Sequence, residues 1–384
     1  MLHLIVIQFW EESAEIDEGS NIIGIYPGEN FYTPEDKIIV VGAHWDTTGF
    51  TDGFNDNGSG LAAMLEIARA LVQSSCRLMS TVIFVAFDKE EVGSQGSHEF
   101  VRSYLVPEFF QGDVWPEFQG AFILDTIMNF NETVNSQSLP DLWKTKIPSQ
   151  TFDNVKDDDF RGNFISLVSR SEPEREIAEK LEKHWMSLSQ DNEFKSAVTS
   201  NPETFKFQRY TVELGGAMPD LMELTDHIHF LRSDHARFWY SNETGYQLSL
   251  RSVLFTDTGP YRGLMARCYH RDCDSARTAG SVPFASYDFL AMTAQTIVDT
   301  ITDMASAQCG ESPRQVDNFT IFATFLHLIF HFRAEKIRLR KDEVKDFKIL
   351  ETNDIDEEEE MKSNGNALRV SVLIVAITVF IFYE

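Results

Sequence analysis

The segment "KIIVVGAHWDTTGFTDGFNDNGSG", residues 37–60, joins an apolar run to a loop rich in Gly, Asn and Asp. The run ends in His44, Asp46 follows two residues later, and Asp56 lies in the loop. Residues 61–72 then carry apolar side chains at helical spacing. A buried strand that leads through a loop into a helix is typical of α/β proteins. Turn chemistry explains Asp and Asn in such a loop, but it does not explain a histidine at the strand end.

Two further apolar runs end in a similar way. "TVIFVAF", residues 81–87, is followed by Glu90 and Glu91, and "GAFIL", residues 120–124, is followed by Asp125. Ligands of open α/β sheets bind beyond the carboxyl ends of the strands. The two adjacent glutamates would point to opposite faces inside a strand, so we expect them just past its end. These side chains therefore predict a metal site at that edge.

The order of the apolar runs also predicts the domain organisation. The alternation of strands and helices favours an α/β fold with a mixed, mostly parallel central sheet, helices on both faces and a single domain at residues 1–310. Within it, the polar stretch 131–203 is expected to form an insertion or a lid. Residues 311–366 are expected to form a linker with a charged segment, and residues 367–384 a hydrophobic C-terminal anchor or tail.

Five motifs in this order resemble those of one enzyme group, the co-catalytic zinc exopeptidases of metallopeptidase clan MH. That group includes the bacterial leucine-type aminopeptidases and glutamate carboxypeptidase. The matching stretches are "GAHWD" (His44, Asp46), "NDNGSG" (Asp56), "DKEEVGSQGS" (Glu90, Glu91), "LD" (Asp125) and "CYHRDCDSA" (His270). The resemblance runs from about residue 21 to residue 304, with an unfamiliar middle region. It implies the zinc exopeptidase fold and peptides as substrates.

The resemblance also implies a ligand set for two Zn²⁺ ions per chain. His44 and Asp125 would bind one ion, Glu91 and His270 would bind the other, and Asp56 would bridge the two. Imidazole nitrogen and carboxylate oxygen are ordinary zinc ligands, which agrees with these residue types.

Three further roles follow from the same resemblance. Glu90 would be the general base that takes a proton from water and passes it to the leaving amine. Asp46 would accept the second N–H of His44 and so fix its tautomer. Tyr269 would donate a hydrogen bond to the tetrahedral oxyanion, with simple packing as the alternative role for this ring. The peptide bond after Asp56 is expected to be cis.

The activity that these residues predict is zinc-dependent removal of N-terminal residues from peptides, an aminopeptidase activity. A carboxypeptidase or dipeptidase of the same fold is an alternative, and so is a non-catalytic, receptor-like ectodomain. Three histidines in "TDHIHFLRSDHARF", His227, His229 and His235, are expected to begin a helix and to support the substrate pocket rather than to bind metal.

Composition restricts the partners and the compartment. Asp and Glu outnumber Lys and Arg 60 to 33, giving a formal net charge of −27, and such a charge repels nucleic acid. Cys268 and Cys273 are close enough to pair, and Cys76 could pair with Cys309. The sequon at Asn57 is discounted, because a glycan there would block the cleft. Paired cysteines and the three other N-glycosylation sequons favour the secretory pathway or the cell surface. The sequons stand at Asn131, Asn242 and Asn318.

The two termini carry further expectations. The first residues, "MLHLIVIQFW", are interpreted as a strand rather than a signal peptide, so the chain is expected to lack its true start. The apolar run 370–383 predicts attachment to a membrane, as a lipid-anchor signal or as a transmembrane tail. Both expectations agree with a location at the cell surface.

Overall fold

The computed structural model describes residues 4–10, 18–49, 51–74, 76–110, 116–243, 246–275, 283–309 and 348–351. Its strands are β1 (Leu4–Trp10), β2 (Gly19–Tyr26), β3 (Lys37–His44), β4 (Cys76–Arg77), β5 (Thr81–Phe87), β6 (Glu117–Leu124), β7 (Phe164–Arg170), β8 (Lys206–Val212), β9 (Ser241–Glu243), β10 (Tyr246–Leu248), β11 (Ser252–Thr256), β12 (Gln308–Cys309) and β13 (Lys348–Glu351). Its α-helices are α1 (Gly58–Gln73), α2 (Gln95–Phe100), α3 (Val106–Phe109), α4 (Ser149–Asp157), α5 (Arg175–Gln190), α6 (Asn192–Ala197), α7 (Leu221–Asp226), α8 (His235–Trp239), α9 (Met265–Cys268) and α10 (Phe284–Met304).

The main sheet has the strand order β13-β1-β2-β5-β3-β6-β11-β7-β8. The four central strands, β5, β3, β6 and β11, run parallel to one another. Antiparallel pairs flank this centre, because β2 pairs antiparallel with β5 and β7 pairs antiparallel with β11. The predicted α/β class, with a mixed central sheet in a single domain, is confirmed. All four parallel strands end at the same edge, which is where the candidate site lies.

Helices cover both faces of the sheet because its central strands are apolar on both faces. In β3, Ile39 and Val41 belong to a core cluster that also contains residues of α1, α5 and α10. The alternate residues Ile38 and Val40 belong to a second cluster, together with residues of α2 and α8. Alternate side chains of a strand point to opposite faces, so the all-apolar run of β3 serves both layers at once.

The start of α1 is fixed tightly against the end of β6. Asn57 caps the helix, since its side chain accepts a hydrogen bond from the backbone N–H of Gly60. A Cβ atom at Gly60 would lie 2.4 Å from the carbonyl oxygen of Leu124, so only glycine fits there. The loop that carries Asp56 is therefore held beside the carboxyl end of β6.

Other parts of the chain extend or brace this sheet. The stretch 131–203, for which an insertion or lid is predicted, supplies β7 to the main sheet. β13, which lies in the predicted linker, pairs with β1. Both predicted disulfides are confirmed: one joins Cys76 to Cys309 across β4 and β12, and the other joins Cys268 to Cys273. Among the described residues, no helix combines the length and apolar character needed to cross a membrane. The predicted anchor at residues 367–384 lies outside the described residues.

Candidate metal centre

Three neighbouring strands deliver candidate ligands to one edge of the sheet. His44 is the last residue of β3, and Asp125 is the first residue after β6. Glu91 lies in the turn after β5, which ends at Phe87. The parallel direction of these strands places their carboxyl ends together, as expected from the sequence.

The first group of ligands surrounds Nε2 of His44. This nitrogen lies 3.4 Å from Oδ1 of Asp56 and 3.7 Å from Oδ1 of Asp125. The His44 side chain has no solvent exposure, and that of Asp56 is 3 % exposed. The geometry offers one imidazole and two carboxylates to a single cation.

The second group uses the other oxygen of Asp56. Nε2 of His270 lies 3.2 Å from Oδ2 of Asp56 and 3.1 Å from Oε2 of Glu91. Asp56 therefore belongs to both groups, one oxygen to each. A carboxylate shared in this way would offset the repulsion between two adjacent cations.

Unpaired buried atoms indicate what this centre is built to hold. Nε2 of His44, Nε2 of His270, Oδ2 of Asp56 and Oε1 of Glu91 are buried and have no hydrogen-bond partner in the described part of the chain. Buried polar atoms are normally satisfied, so four orphans at one point call for a ligand. Two nitrogens and three carboxylates suit zinc.

Electrostatics at the centre point in the same direction. The neighbouring carboxylates of Asp56 and Glu91 raise the pKa of His270 to about 9. Burial alone would raise the pKa of Asp56, but the contacts with His270 and His44 outweigh it and lower the pKa to about 2. The negative charge of the carboxylates therefore favours positive charge at both imidazoles. Either protons or metal ions can supply that charge.

The predicted base, Glu90, lies beside the first group. Its Oε2 is 4.0 Å from Nε2 of His44, and its side chain is 12 % exposed. Burial raises the pKa of Glu90 well above its ordinary value, and the charges of Asp125 and Asp234 raise it further. A carboxyl with a raised pKa binds a proton more readily than an exposed one, which a general base requires.

Asp46 holds more of the site than the sequence predicts. Its Oδ1 accepts a hydrogen bond from the backbone N–H of Glu90 at 3.0 Å, and its Oδ2 accepts one from that of Glu91 at 3.2 Å. Nδ1 of His44 lies 3.5 Å from Oδ1 of Asp46 but only 3.1 Å from the Asp46 backbone oxygen. The carboxylate of Asp46 therefore positions the turn that carries the base and one ligand.

Asp274, for which the sequence predicts no role, and Asn57 hold the bridging loop. Asp274 accepts hydrogen bonds from the backbone N–H groups of Asn55 at 2.8 Å and Asp56 at 3.0 Å. Asn57 donates to the carbonyl oxygen of Leu124 at 2.7 Å. Asp274 lies inside the quoted "CYHRDCDSA" motif, and Asn57 directly follows the bridging aspartate. The peptide bond between Asp56 and Asn57 is cis, as predicted.

A recess opens beside this centre. Asp125 and Tyr269 line one end, and Trp143, His229 and Arg232 are among the residues farther in. Tyr269 stacks on His270 with ring centroids 3.9 Å apart. The predicted oxyanion donor is thus placed between the second ligand group and the recess. His229 lines the recess, and its support of a substrate pocket stays a prediction.

The other two histidines of that segment take structural places. His235 begins α8 and is fully buried, and its Nε2 lies 2.9 Å from the backbone oxygen of Phe230. His227 is 7 % exposed, and its Nδ1 lies 2.9 Å from the backbone oxygen of Glu223. Neither belongs to a ligand group of the centre.

Comparison with known proteins adds a family to this geometry. Residues 21–140 match the model described as "Peptidase family M28". The resemblance to zinc exopeptidases is confirmed there, and the match includes every candidate residue except Tyr269 and His270.

Curated relatives align over less than a quarter of the chain. The chain is 44 % identical over 94 residues to "Aminopeptidase YwaD" of Bacillus subtilis, covering 24 % of this chain and 20 % of that protein. It is 37 % identical over 89 residues to "Glutamate carboxypeptidase 2 homolog" of Caenorhabditis briggsae, covering 22 % and 11 %. The match thus spans a fifth or less of these relatives. A solved zinc aminopeptidase from Bacillus subtilis, BSAP, superposes with a TM-score of 0.45 at 18 % identity, covering 78 % of this chain and 53 % of the other.

Proposed function

We propose that the protein is a zinc-dependent exopeptidase, and specifically an aminopeptidase that removes N-terminal residues from peptides. The observation that carries this proposal is the pair of ligand groups that share Asp56, with Glu90 beside them. The family match and the aminopeptidase among the relatives support the reaction class.

In this proposal, the residues of the centre bind metal, transfer protons or donate a hydrogen bond to the substrate. His44, Asp125 and Asp56 would hold one zinc ion, and Asp56, Glu91 and His270 would hold a second. Bound zinc supplies Lewis acidity, which makes water a competent nucleophile near neutral pH. The carboxylate of Glu90 would accept the proton of the attacking water and deliver it to the leaving amine. Tyr269 would donate its O–H to the oxygen of the former carbonyl.

A carboxypeptidase or dipeptidase of the same fold would use the same centre, because the chemistry of the peptide bond is the same. The direction of attack depends on which terminus the recess accepts. The second candidate, a non-catalytic ectodomain, has less support, since the proposed base and the five proposed ligands are all present in this chain.

The test is the substitution Glu90→Gln, which keeps the size of the side chain but removes its basicity. We expect zinc content to stay at the wild-type value, because Glu90 belongs to neither ligand group. Hydrolysis of aminoacyl reporter substrates should fall by about 10²-fold or more, since general bases contribute roughly 10²–10⁴-fold. Peptides with free and with blocked N-termini would separate aminopeptidase from carboxypeptidase action.

A matched control uses Glu35→Gln, the same change at an exposed position away from the centre. It should leave both zinc content and hydrolysis unchanged. Retained turnover in Glu90→Gln would contradict the assignment of the base. Wild-type protein that retains no zinc and cleaves no peptide would favour the non-catalytic candidate.

We further propose that the protein works in the secretory pathway or at the cell surface. The disulfides Cys76–Cys309 and Cys268–Cys273 support an oxidising compartment, where such bonds persist. Membrane attachment through residues 367–384 remains part of this proposal. Fractionation of expressing cells, with and without that segment, would test it.

A further inference from the structure

The recess beside the metal centre has mainly aromatic walls. Trp143 is its hub: the centroid of its ring lies 4.9 Å from that of Tyr261, 5.2 Å from that of Phe230 and 5.5 Å from that of Tyr210. All four rings line the recess. Asp125 and Tyr269 line the recess as well. A substrate side chain bound there would therefore belong to a residue next to the peptide bond being cleaved.

The recess contains one cation, the guanidinium of Arg232, that has no counter-ion among the described residues. Arg232 and Asp125 are the charged residues among those that line it. Asp125 is committed to the ligand group of His44. Arg232 is exposed and makes no ion pair with any residue in the described ranges. An unpaired arginine is notable in a chain whose formal net charge is −27.

The neighbours of Arg232 do not neutralise it. Nδ1 of His229 and the hydroxyl of Tyr261 form a hydrogen bond of 2.9 Å. Burial and the charge of Arg232 lower the pKa of His229, so this imidazole is neutral near pH 7. The two acids nearest in sequence to Arg232 are Asp234, which is fully buried, and Asp226, which pairs with Lys146 at 2.8 Å. Neither forms an ion pair with Arg232. The positive charge of the guanidinium thus faces the recess alone.

We propose that Arg232 makes this recess a subsite for a substrate residue that carries a carboxylate. The methylene groups of such a residue would pack on the rings of Trp143 and Tyr261, and its carboxylate would pair with the guanidinium. Arginine binds carboxylates with two parallel N–H···O hydrogen bonds, which gives selectivity for an acidic group over a neutral or basic one. This inference rests on the proposed peptidase function and specifies its substrate class.

The carboxylate could come from two sources. An N-terminal Glu or Asp would present its side chain to the recess, and a C-terminal residue would present its main-chain carboxylate. Aminoacyl reporters with free amines (Glu, Leu and Lys) test the first source. N-acetylated dipeptides that end in a free or an amidated carboxylate test the second source.

The variant Arg232→Gln tests the residue itself. The comparison uses whichever of these two substrate series the protein hydrolyses. Within it, we expect the wild-type kcat/KM for the substrate with the carboxylate to exceed that for its neutral counterpart. Arg232→Gln should reduce that ratio by about two- to fivefold, the size of one ion pair at an exposed site. Arg251→Gln is the matched control, because Arg251 pairs with Glu117 at the opposite edge of the sheet. It removes the same charge and should leave the ratio unchanged.

A binding experiment separates failure of this inference from failure of the proposed function. Calorimetric titration with free L-glutamate and L-leucine needs no turnover, and we expect tighter binding of glutamate that Arg232→Gln abolishes. A ratio unaffected by Arg232→Gln, or a wild-type preference for neutral or basic residues, would overturn the inference while hydrolysis itself stood. Absence of all hydrolysis would overturn the peptidase proposal, and the titration would still decide the role of Arg232.

Discussion

Substitution of Asp46 tests how the turn that carries Glu90 and Glu91 is held in place. The two carboxylate oxygens of Asp46 accept the backbone N–H groups of Glu90 and Glu91, at 3.0 and 3.2 Å. Asp46→Asn keeps the size of the side chain but replaces one acceptor oxygen with an NH₂ group that faces an N–H. One of the two hydrogen bonds must therefore be lost, and the turn that carries the base must shift.

The size of the effect follows from the strength of that bond. A hydrogen bond to a charged group contributes roughly 1.5–3 kcal/mol, and each ~1.4 kcal/mol of transition-state energy is tenfold in rate. If the loss falls on the placement of Glu90, kcat should fall by about 10- to 150-fold. Zinc content should change little, since the Asp46 backbone oxygen at 3.1 Å remains beside Nδ1 of His44.

The assay measures kcat on an aminoacyl reporter and zinc per chain by elemental analysis of the same sample. Asp153→Asn, an exposed position on α4, is the control for the change from acid to amide. If Asp46 acted mainly by orienting His44, Asp46→Asn would instead lose zinc and recover its rate when excess zinc is added. A variant with full zinc and a kcat within twofold of wild type would refute both roles.

Two further predictions concern stability. Asn57→Ala removes hydrogen bonds to three backbone partners from a residue that is 2 % exposed. Unsatisfied buried groups cost about 1–3 kcal/mol each, so the melting temperature should fall by several degrees. An unchanged melting temperature would contradict this prediction. Burial lowers the pKa of His235 from 6.5 to about 4. The unfolded chain therefore takes up the proton first, and its uptake removes stability as pH falls from 6.5 towards 4. Urea unfolding at pH 7 and pH 4.5 should show about 2–3 kcal/mol less loss in His235→Gln than in wild type, and equal losses would refute the assignment.

The convergence of the proposed ligands was largely predictable, because each of them follows a recognisable apolar strand or lies in a recognisable motif. His44 and Asp125 directly end or follow central strands, and their convergence is a consequence of parallel pairing alone. The helix at α10 and the strand at β11 were predictable from periodicity for the same reason. Local pattern carries this information, since strand ends need only their own sequence to be recognised.

The supports of the ligands were not predictable, because they act across large sequence separations. Asp274 binds backbone groups 218 and 219 residues away, and no local pattern indicates that contact. The strand β7 could not be predicted from the sequence, for a different reason. Its sequence contains Arg170, which is fully buried and pairs with Glu174 at 2.5 Å, so a polar residue occupies a position where an apolar one is expected.

These supports explain how like charges are held together at the centre. Asp56, Glu91 and Asp125 converge on two imidazoles, and their mutual repulsion would separate them in a flexible chain. Asp46 fixes the Glu91 turn, Asp274 fixes the Asp56 loop, and both act through backbone N–H groups, whose positions do not depend on a bound cation. The sheet edge therefore pre-organises the carboxylates, and the affinity for a cation is the release of repulsion that the fold has already imposed. By this reasoning Asp46 and Asp274, which belong to neither ligand group, fix where the carboxylates of both groups lie.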